Sequence, residues 1–90
     1  MKLQIQVTGR VQGVGFRYTT QQIAREIGIT GTVKNELDGS VSIQAIGSES
    51  DLEEFLEQLA KPQNPFSKVD SIRKHEDPSI EDRKKFDVIY

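Results

Sequence analysis

The sequence predicts an α+β chain: a mostly antiparallel sheet with two helices on one face, in a split βαβ arrangement. Three observations predict it. Hydrophobic periodicity switches between two and about 3.6 residues in the order strand, helix, strand, strand, helix, strand, with a short extra strand at the end. Asp38-Gly39, a tight-turn dipeptide, separates the two middle strands. The 90 residues suffice for one two-layer core and not for two, so residues 1–90 are expected to form a single domain.

Each element has its own warrant. In residues 2–8, Leu3, Ile5 and Val7 fall on one face and Lys2, Gln4, Gln6 and Thr8 on the other, the pattern of a half-buried strand. A glycine-rich stretch follows, Gly9-Arg10-Val11-Gln12-Gly13-Val14-Gly15-Phe16-Arg17. From Arg17 the period lengthens: Thr20, Ile23, Ala24 and Ile27 form a helical stripe, closed by Gly28. Residues 30–37 and 40–46 read as a hairpin around Asp38-Gly39. Ser48 or Ser50 can cap the second helix, and Ser50-x-x-Glu53 fits a capping box. Its stripe is Leu52, Phe55, Leu56 and Leu59. Pro62 and Pro65 belong to a connecting loop. Residues 68–76 form a weaker strand in which Val69 and Ile72 break alternation, as at a bulge or a late strand start. After a turn at Asp77-Pro78-Ser79, Phe86, Val88 and Tyr90 alternate in a short final strand. The whole is the ferredoxin-like pattern, βαββαβ plus a C-terminal strand.

Composition excludes several classes of function. Net charge is −2 and there is no cysteine, so neither a basic nucleic-acid footprint nor a disulfide, thiolate-metal or cysteine-nucleophile chemistry is expected. The outer faces of the strands offer Gln4, Gln6, Thr8, Ser42 and Gln44, with no aromatic to stack a base. No apolar run is long enough to span a membrane, and no signal region precedes the first strand. A cytoplasmic monomer is the expectation, with no metal or cofactor. The one histidine, His75, reads as a surface residue, and the acidic run Glu49–Glu57 as a solvated helix face.

The glycine stretch is the candidate site. Three glycines let the backbone bend and approach a ligand, and amides opening onto a helix start attract anions. The same glycines would also serve a plain strand-to-helix turn. The topology adds a second observation. The first and second strands run parallel with the third between them, so both end at the same end of the sheet. Asn35 shares parity with Val33 and is therefore expected on the helix-covered face, near the loop and Arg17.

The stretch from Gly9 to Arg17, followed by Gly31-Thr32-Val33-Lys34-Asn35 and Asp38-Gly39-Ser40-Val41, resembles the acylphosphatase family over nearly the whole chain. It departs at Thr32, where an aromatic is frequent in the family. The resemblance implies hydrolysis of the carboxyl–phosphate bond of small acyl phosphates, releasing inorganic phosphate, without metal and without a phosphoenzyme. It implies that Arg17 holds the phosphate, that Asn35 orients the attacking water, and that backbone N–H groups of Gln12, Gly13, Val14, Gly15, Phe16 and Arg17 form the cradle. A non-hydrolytic anion-binding module and a domain cut from a larger enzyme are the competing readings, because one fold hosts many functions.

Overall fold

Leu3, Ile5 and Val7 are all buried while Gln4 and Gln6 between them stay half exposed, so the alternation maps directly onto a first strand, β1 (Lys2–Arg10). The structure is a computed structural model and describes residues 1–62 and 64–90; Gln63, in the expected connecting loop, lies outside the described residues. Next come α1 (Phe16–Ile27), β2 (Thr30–Asn35), β3 (Val41–Ile46), α2 (Glu49–Ala60), β4 (Lys68–Glu76) and β5 (Phe86–Ile89). This is the expected βαββαβ order with a C-terminal strand.

The sheet order is β4-β1-β3-β2-β5. β3 is antiparallel to both β1 and β2, and β5 runs parallel to β2. Thus β1, β2 and β5 all end at one end of the sheet, where α1 begins. One face of the sheet and the apolar stripes of both helices share a single core containing Ile5, Val33, Ile43, Phe16, Ala24, Phe55 and Phe86. Phe55 of α2 meets Phe86 of β5 edge to face, with ring centroids 6.0 Å apart, a favourable aromatic geometry. The other face is polar, and Gln4 donates across strands to Ser42 at 2.9 Å. Among the described residues no helix is long and apolar enough to cross a membrane.

Several boundaries differ from the sequence expectation, each for a physical reason. β1 continues through Gly9 and Arg10, because Gly9 pairs with Val69 of β4. A Cβ on Gly9 would meet the Lys68 carbonyl oxygen at 2.1 Å, so this glycine serves close strand approach rather than the loop. The register shift at Thr8/Gly9 skips Asp70, which is the bulge expected between Val69 and Ile72. β2 and β3 are joined by residues 36–40 instead of a two-residue turn. There Asp38 folds back to accept from the Ser40 N–H at 2.9 Å and its hydroxyl at 2.6 Å. For α2, Ser48 is the cap and accepts from the Asp51 N–H at 3.1 Å; the Ser50 capping box does not form. β5 ends at Ile89, so Tyr90 lies just past the final strand.

Candidate active site

The loop between β1 and α1 alternates in handedness. Gly13 and Gly15 have φ of 74° and 76°, while no non-glycine residue among the described residues has positive φ. Such alternation turns successive N–H groups toward one concavity, a nest suited to an anion. Gly15 occupies the N-cap position of α1 and supplies no side-chain cap, and the first turn carries no acidic residue. Among the described residues, no backbone N–H from Gln12 to Tyr18 donates to a protein acceptor. Helices normally satisfy these donors with a Ser, Thr, Asp or Asn cap. Gly13, Gly15, Phe16, Arg17 and Tyr18 of this stretch line a cavity of about 430 Å³.

Arg17, the second residue of α1, lines that cavity. Its guanidinium pairs with no carboxylate among the described residues. It lies over the Tyr90 ring, 4.9 Å from the centroid, a cation–π contact that leaves the edge donors free. Asn35, the last residue of β2, lines the same cavity. Its Oδ1 is buried and has no hydrogen-bond partner among the described residues. Buried polar atoms are rarely left so, and an acceptor beside unpaired donors marks a place for an exchangeable molecule. Asp87, an acidic side chain lining the cavity, accepts from Arg83 at 3.0 Å and lies 4.0 Å from Arg25, which offsets its charge.

The acylphosphatase family profile matches residues 3–88 of this chain. The chain belongs to the acylphosphatase family. It is 47% identical to an acylphosphatase of Enterococcus faecalis over 98% of this chain and 97% of that one. It is 50% identical to one of Lactobacillus johnsonii over 96% and 94% of the two. Its fold superposes on the crystal structure of acylphosphatase from Bacillus subtilis with a TM-score of 0.92 at 44% identity, covering 99% of this chain and 98% of that one. Acylphosphatases are enzymes that hydrolyse acyl phosphates, and the cavity at the end of β1 and β2 is where this member brings its unpaired polar groups together.

The structure gathers Gly13, Gly15, Phe16, Arg17 and Asn35 around this acylphosphatase cavity. Phe16 is buried beneath the loop. The side chains of Gln12 and Val14 turn elsewhere. Gln12 donates to the carbonyls of Glu36 and Ser40 at 2.7 and 2.9 Å, and Val14 packs against the core. Residues not anticipated from sequence complete the wall: Val11, Tyr18 and Gln21, and from β5 and beyond Asp87, Val88 and Tyr90. The alternation of Phe86, Val88 and Tyr90 puts the last two on the side of the helices, but only the pairing of β5 with β2 brings that side to the cavity. His75 is exposed on β4, outside the cavity. Among the described residues no cluster of three His, Asp or Glu side chains gathers in a metal-ligating arrangement.

Proposed function

We propose that this protein hydrolyses acyl phosphates by in-line attack of a water that Asn35 orients on a phosphate held by Arg17 and the loop amides. The observation that carries the reading is the buried Asn35 Oδ1, unpartnered among the described residues, on the wall of a cavity that also holds Arg17 and the glycine loop. The water donates one hydrogen bond to Oδ1, which aims its lone pair at phosphorus. Its oxygen bonds to phosphorus as the bond from phosphorus to the acyl oxygen breaks. The acyl group leaves as a carboxylate, and the water's proton ends on a phosphate oxygen. A dianionic acyl phosphate and water thus give a carboxylate and dihydrogen phosphate. A carboxylate is a weak base, so the leaving group needs no general acid and the reaction no metal or other cofactor.

The energetics suit these groups. Phosphoryl transfer proceeds through a loose transition state stabilised by positioning and charge. Orienting a reactant in this way supplies on the order of 7 kcal/mol. Each charge-assisted bond from an amide or from Arg17 adds about 1.5–3 kcal/mol. Bonds that tighten as charge moves onto the phosphoryl oxygens raise turnover beyond what binding alone gives. The acyl phosphate and the phosphate product are the only partners invoked, and the chain acts as a monomer built on one domain.

The test is turnover of benzoyl phosphate with a chelator present. Wild type is expected to hydrolyse it. Arg17→Lys keeps the charge and loses the planar fork, and its kcat/KM is expected to fall about 100-fold or more, the loss of one to two such bonds. Asn35→Ala is expected to lose about 100-fold in kcat while orthophosphate still inhibits at similar concentration. Full activity in the Arg17 variant, or unchanged kcat in the Asn35 variant, would sink the assignment.

A further inference from the structure

Two carboxamides hold the glycine loop from outside the cavity. Asn64 donates from Nδ2 to the Val14 carbonyl at 3.1 Å. Its Oδ1 accepts from the Phe66 and Ser67 N–H groups at 2.8 and 2.9 Å, which fixes which end of the amide faces the loop. The Val14 carbonyl and the Gly15 N–H belong to one planar peptide unit, and in the trans form they point in opposite directions; no cis bond occurs among the described residues. Gly15 lines the cavity. A glycine there would let that peptide rotate with little steric resistance, so the bond from Asn64 sets where the Gly15 N–H points. On the other side, Gln12 Nε2 bridges the carbonyls of Glu36 and Ser40. Glu36 follows Asn35 directly, and its N–H donates to Ser40 at 2.9 Å. Gln12 thereby ties the loop to the backbone that carries the Asn35 side chain.

We infer that Gln12 and Asn64 are positioning residues: Asn64 aims the Gly15 amide into the cradle, and Gln12 keeps the cradle in register with Asn35. The inference rests on the proposed roles of the loop and Asn35. It separates two functions that one loop would otherwise blur. Losing the Asn64 contact weakens the hold on phosphate. Losing the Gln12 contacts displaces the phosphate from the attacking water without removing any group that binds it.

The experiment compares Gln12→Met, Asn64→Asp and Asn64→Ser with wild type in benzoyl phosphate turnover and in competitive inhibition by orthophosphate. The Gly15 amide is followed by nitrogen-15 NMR during an orthophosphate titration. Methionine keeps the length of Gln12 and removes its donors. Aspartate keeps the acceptor for Phe66 and Ser67 and sets an anionic oxygen against the Val14 carbonyl; serine removes the donor without adding charge. Gln12→Met is expected to lower kcat about 10-fold or more, within the range for misplaced reactants, with the orthophosphate inhibition constant within about 3-fold. Both Asn64 variants are expected to raise that constant about 10-fold, the equivalent of one charge-assisted bond, and to blunt the phosphate-induced shift at Gly15. A merely structural role would lower the unfolding midpoint and leave kcat, inhibition and the Gly15 shift as in wild type, which would overturn the inference. So would Gln12→Met weakening phosphate binding as much as it slows turnover. If Asn35→Ala itself kept full kcat, the underlying reading would fail first, and that variant is measured alongside.

Discussion

Arg17 carries five N–H donors, and among the described residues its one recorded partner is the face of Tyr90. The guanidinium is held without being neutralised, the condition an anion site needs. Asn35 was legible in the sequence because strand parity and the crossover rule place it by themselves. Tyr90, Val88 and Asp87 were not, since they reach the cavity only through the parallel pairing of β5 with β2, a non-local contact that periodicity does not specify. Gln12 was legible as part of the loop, but its side-chain partners are set by where residues 36–40 fold. That turn supports a prediction of its own. The Ser40 hydroxyl, then the Ser40 N–H, hold the Asp38 carboxyl below its ordinary pKa. The folded chain therefore keeps Asp38 ionised at lower pH than the unfolded chain does. Its contribution is complete above about pH 4, the unfolded value, and is lost as pH falls through the depressed folded value. Urea midpoints of wild type and Asp38→Ala should differ by a constant gap from pH 7 to about pH 4 and converge below it. A gap that persists unchanged at lower pH would contradict this account.

The two helices begin in opposite ways. α2 is capped by Ser48 and carries Glu49 and Asp51 in its first turn, which suits the positive end of the helix dipole. α1 begins on a glycine with no cap and no acid. A helix used only for packing gains from α2's arrangement; a helix whose amides face a ligand must forgo it. Two serines, each followed three residues later by an acid, left the start of α2 ambiguous in the sequence. Tertiary pairing decides it. The Met1 backbone exchanges hydrogen bonds with Gly47 in both directions, at 3.0 and 3.1 Å, fixing the chain there so that the helix starts immediately after Ser48. Ser48→Ala is accordingly expected to cost about 1 kcal/mol of stability. Ser50→Ala should stay within about 0.5 kcal/mol, as at an ordinary surface position, because among the described residues its hydroxyl meets only that of Ser48, at 3.4 Å. Equal losses in chemical denaturation would return the capping role to Ser50.

For the whole molecule, the consequential fact is that β2, β5, α1 and the loop after β1 all contribute to one cavity. An anion bound there is available only to the assembled sheet, because unfolding separates Arg17 from Asn35 and flattens the loop. Binding must then stabilise the entire fold by mass action: at orthophosphate 100 times above its dissociation constant, by about 2.7 kcal/mol. Phosphate is also excluded from protein surfaces and stabilises folded chains non-specifically, so the increment alone proves little. The comparison with Arg17→Lys separates the two effects. Exclusion acts on the total surface, which the substitution leaves almost unchanged, and should raise both unfolding midpoints in parallel. If the anion is held by the guanidinium fork as proposed, the variant should need a higher phosphate concentration for the same rise, in proportion to its loss of affinity. Superimposable phosphate dependences for the two proteins would mean that Arg17 contributes nothing to holding the anion, whatever its effect on turnover.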